Sequence, residues 1–338
     1  MTRALAIESC GPGVTIQDLG RPGFLDQGLS RGGAADFLAL REGAALLGQP
    51  PDRAALEMAG FGGKFRAEGG DIRIALTGAP MRATIDGAPV PWNVGLQLPE
   101  GGTLSIGSAQ TGVYGYLHAG GGFGGEALLG SRSAHLAAGL GATLAAGDRI
   151  PVEPDAGGPT GAALDVEDRF SGGTARLVAG MQTGNFEESE IARFEKTLFV
   201  RDVRGNRMGA RLSFDGPPFA AKGGLSVLSE VIAPGDVQMT GEGTPFVLLA
   251  ECQTTGGYPR IGTVLPQDLP LVAQTAPGTP IRFRFVDIGE ASEDWRRRRR
   301  EFEELPSRVR ALVRDPRDIP DLLSYQLVGG VVDAADRN

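Results

Sequence analysis

Lysine is almost missing from this chain: Lys64, Lys196 and Lys222 are the only three among 33 basic residues, and the rest are arginines. Chemistry that needs a lysine amine, as a Schiff base or as the carrier of an attached group, is therefore confined to three positions. None of the three stands between methionines, so a biotin would have to arrive on another protein. Histidine is scarcer still, at His118 and His135, and the two cysteines, Cys10 and Cys252, form no spaced ligand pair. No metal site is expected. Two distant cysteines fit a reducing compartment. No apolar stretch approaches the roughly 18 residues of a membrane span, and Met1–Pro12 lacks the apolar centre of a signal peptide. A net charge of −8 argues against nucleic acid or an anionic membrane as partner, since both need a basic excess. The expected location is the cytoplasm.

What the chain has in excess is glycine, 53 residues, with 23 prolines beside it. Both are poor in helix interiors and good in turns, which excludes an all-helical bundle. With 41% hydrophobic and 22% charged residues the composition is that of a folded protein, and 338 residues suffice for two ordinary domains. Short apolar segments punctuated by Gly or Pro fill residues 54–118: Ala54–Ala59, Ile72–Thr77, Arg82–Asp86, Leu96–Leu98, Thr103–Ile106 and Val113–His118. That is the spacing of a sandwich or barrel. One helix interrupts the first half, Ala34–Leu47, with Gly48 placed as its C-terminal cap and Pro50-Pro51 as its stop.

Residues 153–173 are polar, aperiodic and glycine-rich, and read as a linker or long surface loop. Strand candidates resume at Ala175–Ala179, Leu198–Val203, Leu225–Ile232, Pro245–Ala250, Arg260–Leu265 and Ile281–Ile288, with a helix at Glu187–Lys196. The expected organisation is mainly β: an N-terminal lobe at 1–152, the linker at 153–173, a C-terminal lobe at 174–289 and a helical extension at 290–338. Matches such as Leu117/Leu248 and Ile150/Ile281, at one fixed offset, hint at duplication. The extension holds five consecutive arginines, Arg296 to Arg300, nearly neutralised by Glu301, Glu303 and Glu304, as in a solvated helix. An apolar tail, Ile319–Val332, is expected to dock on the body or on a partner.

Several motifs bear on chemistry. Gly28-Leu29-Ser30-Arg31-Gly32 matches the G-x-S-x-G pattern of a nucleophile elbow, but too little chain precedes it to build the sheet an elbow needs. A turn before a helix is the better reading. Gly120 to Gly125 contains G-x-G-x-x-G without the following helix of a dinucleotide fold, so it reads as a β turn. The adjacent Gly130-Ser131-Arg132-Ser133 offers hydroxyls and a guanidinium for an anion. Glu251 to Arg260 packs hydrogen-bonding side chains around a Gly pair at a strand end: Gln253, Thr254, Thr255, Tyr258 and Arg260. A bulge with Tyr258 packed inside is the structural alternative. Arg204 to Arg211, with Asn206 and Arg207, reads as an anion-recognising or merely solvated loop. Gln17, Asp18 and Arg21 stand at a strand-to-turn junction, where Asp18 and Arg21 could simply fasten the turn.

Taken in order, T-I-Q-D-x-G-R-x-G, Leu56-Glu57, Gly130-Ser131-Arg132-Ser133, Gly147-Asp148, Asn206-Arg207-Met208-Gly209 and Gln253-Thr254-Thr255-Gly256-Gly257-Tyr258-Pro259-Arg260 resemble the biotin-dependent carboxyltransferase family. That family is also called allophanate hydrolase subunit 2, and its bacterial members include C subunits of 5-oxoprolinase. The resemblance runs from about Leu5 to Phe285. Val203-Arg204-Gly205 before the Asn-Arg-Met-Gly motif and Ala210 after it depart from the family pattern.

The resemblance implies two cyclophilin-like β-barrel lobes with a few short helices. It also implies a B subunit and an ATP-using A subunit, with which such a chain opens 5-oxoproline to glutamate. Alternatively, a carboxyl group moves from carboxybiotin, carried on a separate protein, to an amide or urea. A third possibility is a non-catalytic regulator of a kinase-inhibitor pair, and a serine hydrolase built on Ser30 is the weakest. The substrate is expected to be a small amide. The candidate catalytic set is Gln253, Thr254, Thr255, Tyr258, Arg260 and Asp268, and the candidate substrate-binding set is Asn206, Arg207, Gln238, Gln17, Asp18 and Glu57. Amides and hydroxyls would orient a planar substrate while Arg207 and Arg260 stabilise developing negative charge. Asp268 or Glu57 would relay a proton.

Overall fold

Ile72–Gly78 is buried at every position, as a strand must be when it has a neighbour on each side and a layer on each face. It lies at the centre of the N-terminal lobe in a computed structural model that describes residues 2–312; the apolar tail at 319–332 falls outside them. The lobe's strands are β1 (Ala4–Cys10), β2 (Thr15–Gln17), β3 (Ala55–Ala59), β4 (Phe61–Glu68), β5 (Ile72–Gly78), β6 (Met81–Ile85), β7 (Ala88–Val90), β8 (Val94–Leu98), β9 (Thr103–Ala109), β10 (Tyr114–Ala119), β11 (Arg149–Pro151) and β12 (Ala162–Ala163). The C-terminal lobe contributes β13 (Gly173–Val178), β14 (Phe199–Arg201), β15 (Gly209–Ser213), β16 (Glu230–Val231), β17 (Asp236–Met239), β18 (Pro245–Leu248), β19 (Thr255–Gly256), β20 (Arg260–Val264) and β21 (Pro280–Phe285). A short β22 (Arg310–Ala311) follows.

The first lobe is two antiparallel sheets, ordered β11-β1-β4-β9-β6-β7 and β2-β3-β10-β5-β8-β12-β22. Leu5, Ile7, Phe65, Ile74, Leu76, Leu104 and Leu117 belong to its core. The second lobe is a closed seven-stranded barrel, β13-β20-β17-β18-β15-β14-β21, sealed by the parallel pairing of β13 with β21. Its interior holds the packed rings of Phe194, Phe199 and Phe283, with centroids 5.0–5.6 Å apart. Closure leaves this barrel without a free edge.

Asp36 starts the first helix, α1 (Phe37–Leu47), by accepting from Leu38 N and Ala39 N, and Gly48 ends it in the left-handed region. The helix therefore begins three residues later than the apolar pattern predicts, at its cap. It lies against β10 through Gly43, where a Cβ would stand 2.3 Å from the His118 ring. The strand β4 escapes the sequence pattern because Gly62 and Gly63 break its alternation. Both are needed: a Cβ on Gly63 would stand 2.2 Å from the carbonyl oxygen of Ser9, and one on Gly62 2.5 Å from Ile106. Of the strand predicted at Leu225–Ile232 only Glu230–Val231 pairs, because the segment crosses outside the barrel wall and leaves Leu228 exposed.

The predicted linker is a strap tied to the first lobe. Asp155 pairs with Arg73 (2.8 Å), and buried Arg169 forks onto Glu42 and reaches Asp36 (2.7 Å). Beyond α2 (Glu188–Lys196) and α3 (Leu269–Gln274), the charged extension forms α4 (Ile288–Glu304). This helix is less solvated than its composition suggests. Asp294 is buried on Arg176, and Phe302 packs edge-on to Phe37 of α1 with centroids 6.0 Å apart. No helix among the described residues is long and apolar enough to cross a membrane.

Candidate functional site

Alternation along two neighbouring barrel strands sorts their side chains to the two sides of the wall. Val237, Met239 and Val247 belong to the core, which turns Gln238, Phe246 and Leu248 outward. The segment after β18 folds back over that outer face. It is held by the β16–β19 pair and by a hydrogen bond from Val227 N to Gly257 O (2.9 Å). Between wall and segment lies a cavity of about 260 Å³, lined by Asn206, Met208, Gln238, Thr240, Phe246, Leu248, Gln253 and Tyr258.

Four of the residues singled out in the sequence, Asn206, Gln238, Gln253 and Tyr258, therefore meet around one cavity. Two glycines make the room: a Cβ at Gly256 would stand 2.4 Å from Gln238 Nε2, and one at Gly209 2.0 Å from the Phe246 ring. Gln238 is buried, and its Nε2 has no hydrogen-bond partner. An unmatched buried donor costs about 1–3 kcal/mol, which a ligand carbonyl would recover. Tyr258 is 44% exposed. None of the lining residues carries a charge. Amide, hydroxyl and phenol groups over an apolar floor suit a neutral, planar amide or urea.

The other predicted residues lie outside this lining. Arg260 is engaged by Glu230 (2.7 Å), Asp236 (3.2 Å), the carbonyl of Val231 (2.6 Å) and Gln182. It ties β16 to the barrel and so braces the segment that roofs the cavity, in place of the substrate contact expected of it. Thr254 accepts from Ile232 N through its backbone (3.0 Å), and Thr255 is exposed on β19. Asp268 accepts a bidentate pair from Arg176 (2.7 and 2.8 Å), together with the Arg176 backbone N–H. It anchors the approach to α3 and is no free proton relay.

Arg207 turns away from its neighbour Asn206 into the boundary between the lobes. It donates to Glu251 (2.5 Å), to Glu57 and to the carbonyl of Gly33 (2.5 Å). Glu57 also accepts from Tyr116 Oη (2.7 Å) and Ala35 N (2.8 Å). Burial opposes the charge on Arg207, but Glu57 and Glu251 outweigh it and raise its pKa. Tyr114, beside them, is pushed up to about 12 by burial and by Glu57. This cluster is an interlobe tie whose groups are spent on one another.

The anion site predicted at Gly130-Ser131-Arg132-Ser133 already holds an anion, the carboxylate of Asp18. Ser131 Oγ (2.6 Å), Ser133 Oγ (2.5 Å), Arg132 N (2.7 Å) and Gly20 N (2.8 Å) all donate to it. Gln17 is buried beneath, donating to Thr15 and to the carbonyl of Ala134. Asp18 borders a cavity of about 170 Å³ with Gly130 and Arg132, but its carboxylate is already engaged by these donors.

One grouping is invisible in the sequence. Ser30 Oγ lies 2.8 Å from His135 Nε2, and His135 Nδ1, which has no partner, lies 4.0 Å from Glu251. All three are 3% exposed. Burial holds the His135 pKa down, partly offset by Glu251. Ser30 and His135 are 105 residues apart, so no spacing motif could have joined them. Among the described residues no cluster of His, Cys, Asp or Glu is placed to hold a metal ion.

The sequence matches the carboxyltransferase domain, subdomain A and B, over residues 27–285. The chain belongs to this family. Among carboxyltransferase-domain relatives, the 5-oxoprolinase C subunit of Escherichia coli (strain K12) is 32% identical over 311 residues, 90% of this chain and 98% of that protein. The 5-oxoprolinase C subunit of Haemophilus influenzae is 34% identical over 286 residues, covering 82% and 90%. The urea amidolyase of Saccharomyces cerevisiae is 26% identical over 305 residues, 82% of this chain and 16% of that much longer protein. The crystal structure of TTHA0988 superposes with a TM-score of 0.77 at 31% identity, over 84% of this chain and 56% of that one. The urea carboxylase of Kluyveromyces lactis shares the fold, with a TM-score of 0.78 at 23% identity over 93% of this chain and 31% of that one.

Proposed function

We propose that this chain is the C subunit of an ATP-dependent 5-oxoprolinase, which opens 5-oxoproline to glutamate together with a B and an A subunit. The observation that carries the reading is the uncharged cavity on the barrel wall whose lining includes Gln238, with an unmatched amide Nε2. The ring amide of 5-oxoproline is planar and uncharged, and its carbonyl matches that donor; Asn206, Gln253 and Tyr258 supply further polar groups to orient the ring and to hydrogen-bond the carboxylate it carries. The two 5-oxoprolinase relatives, matched over nearly their whole lengths, support the same reading. The lining offers no lysine or arginine to a triphosphate, so ATP is assigned to another subunit. It offers no strong nucleophile either, so this chain binds and positions.

The test is reconstitution. Chain, B subunit and A subunit together are expected to form glutamate from 5-oxoproline with ATP, and each alone is not. Turnover by the isolated chain, or none by the full mixture, overturns the reading. A neutral cavity also suits urea, and the urea amidolyase relatives support carboxyl transfer from carboxybiotin on a separate protein as a second reading. Urea-dependent activity that avidin abolishes would establish it in place of the first.

A further inference from the structure

A second cavity lies where α1, the strap at 164–169, the turn into α3, and α4 with the residues after it come together. Its volume is about 140 Å³, against roughly 10–15 Å³ for one water. A small organic molecule fits. Most charged groups around it are already matched: Glu42 by Arg169 (2.7 Å), Asp268 by Arg176 (2.7 Å) and Glu301 by Arg298 (2.8 Å).

Two lining arginines are not. Among the described residues neither Arg41 nor Arg308 makes a salt bridge, and Arg41 Nε is buried without a hydrogen-bond partner. The Arg41 guanidinium stands 4.6 Å over the Phe302 ring. Burial, and then the charges of Arg31 and Arg299, hold its pKa down, the mark of a cation without a counter-charge. In the same lining Gln267 is 5% exposed, and its Oε1 also lacks a partner. The Gln267 amide nitrogen faces the Asp294 carboxylate (3.5 Å), which fixes the oxygen as the unmatched end. The walls thus hold a cation that faces a ring and no carboxylate among the described residues, with its Nε unpartnered, and an unpartnered acceptor.

We propose that this cavity binds a small carboxylate with an N–H donor beside it, the chemistry of a free α-amino acid or of its lactam. The carboxylate lies on Arg41 and the N–H on Gln267 Oε1. The site is separate from the barrel cavity and does not rest on the function proposed above. Both lobes, the strap and α4 contribute walls, so a bound molecule adds to the buried ion pairs and shared core that already join them.

Isothermal titration of the full chain carrying Gln238→Met, which takes the lactam donor out of the barrel cavity, tests it with four probes: L-glutamate, L-5-oxoproline, acetate and 2-pyrrolidinone. One of the first two is expected to bind at least about tenfold tighter than acetate or 2-pyrrolidinone, each of which carries half of the recognised pair. Preference for glutamate identifies a free amino acid as the ligand class, and preference for 5-oxoproline identifies the lactam. In that background Arg41→Gln and Gln267→Leu should each weaken binding by roughly tenfold or more. Where Arg41→Gln lowers the thermal midpoint, Gln267→Leu carries the test. The proposal is overturned if neither whole molecule binds below about 10 mM. Acetate binding as tightly as both whole molecules, or binding to the Gln238→Met chain that Arg41→Gln leaves unchanged, overturns it equally.

Discussion

The guanidinium of Arg207, in the C-terminal lobe, donates to the carboxylate of Glu57, in the N-terminal lobe. With Glu251 on its other edge, this arginine is a cation of the lobe boundary, and removing it leaves two buried carboxylates without their counter-charge. Arg207→Met is expected to cost about 3–5 kcal/mol in urea denaturation. Arg204→Met, three residues away in an exposed pair with Asp202, should leave the midpoint where it is. Equal effects would show that the boundary does not rest on this pair.

Gly256 is the tightest point of the barrel cavity, with no space for a Cβ beside Gln238 Nε2. Gly256→Ala is expected to displace the Gln238 amide and cut turnover by the assembled enzyme roughly tenfold or more, with a change in thermal midpoint of only a few degrees. Steady-state kinetics beside a melting curve separate the two. Unchanged kinetics would remove the cavity from consideration.

Asp268 and Gln253 should behave in opposite ways. Asp268→Asn weakens the clamp on Arg176 and is expected to lower stability while sparing kcat. Gln253→Ala is expected to leave stability alone and raise KM. The reverse pattern would restore Asp268 to the chemistry.

His118 sits buried with Nε2 2.8 Å from Thr77 Oγ1, and burial lowers its pKa from 6.5 to about 3. The unfolded chain takes up a proton here near pH 6.5, and the folded chain resists until about pH 3. The stability it contributes is full above pH 6.5 and declines as pH falls through that window, by up to ~1.4 kcal/mol per unit. Comparing denaturation at about pH 7 and pH 5, His118→Asn should show a shallower loss than the parent chain.

Ser30 shares a hydrogen bond with His135 but is shielded from solvent. A fluorophosphonate probe is expected to leave the folded chain unlabelled, and Ser30→Ala to cost about 1 kcal/mol of stability. Stoichiometric labelling of Ser30 would instead make it a nucleophile.

Local chemistry made much of this fold legible. Gly- and Pro-punctuated apolar runs locate most strands, and Gly48 marks the end of α1 by its capping role. The density of hydrogen-bonding groups at 253–258 points to the cavity they help to line. What stayed hidden depends on distance along the chain. Nothing near Arg207 indicates that its partner is Glu57, 150 residues earlier, and a basic loop therefore reads as open to external anions. Asp18 is concealed in the same way, since the serines that bind it follow 113 and 115 residues later. In β4, glycines that admit neighbouring backbone erase the alternation by which a strand is recognised.

The last described strand, β22, lies beside β12 on the first lobe's sheet although the chain has by then completed the second barrel. The polypeptide thus leaves the first lobe, builds its partner, and comes home. A fragment stopped near residue 172 would keep nearly all of the first core yet bare a strand edge and the α1 face under Phe302. Such a fragment would tend to stick to copies of itself, so the two lobes are better regarded as one folding and engineering unit than as separable modules.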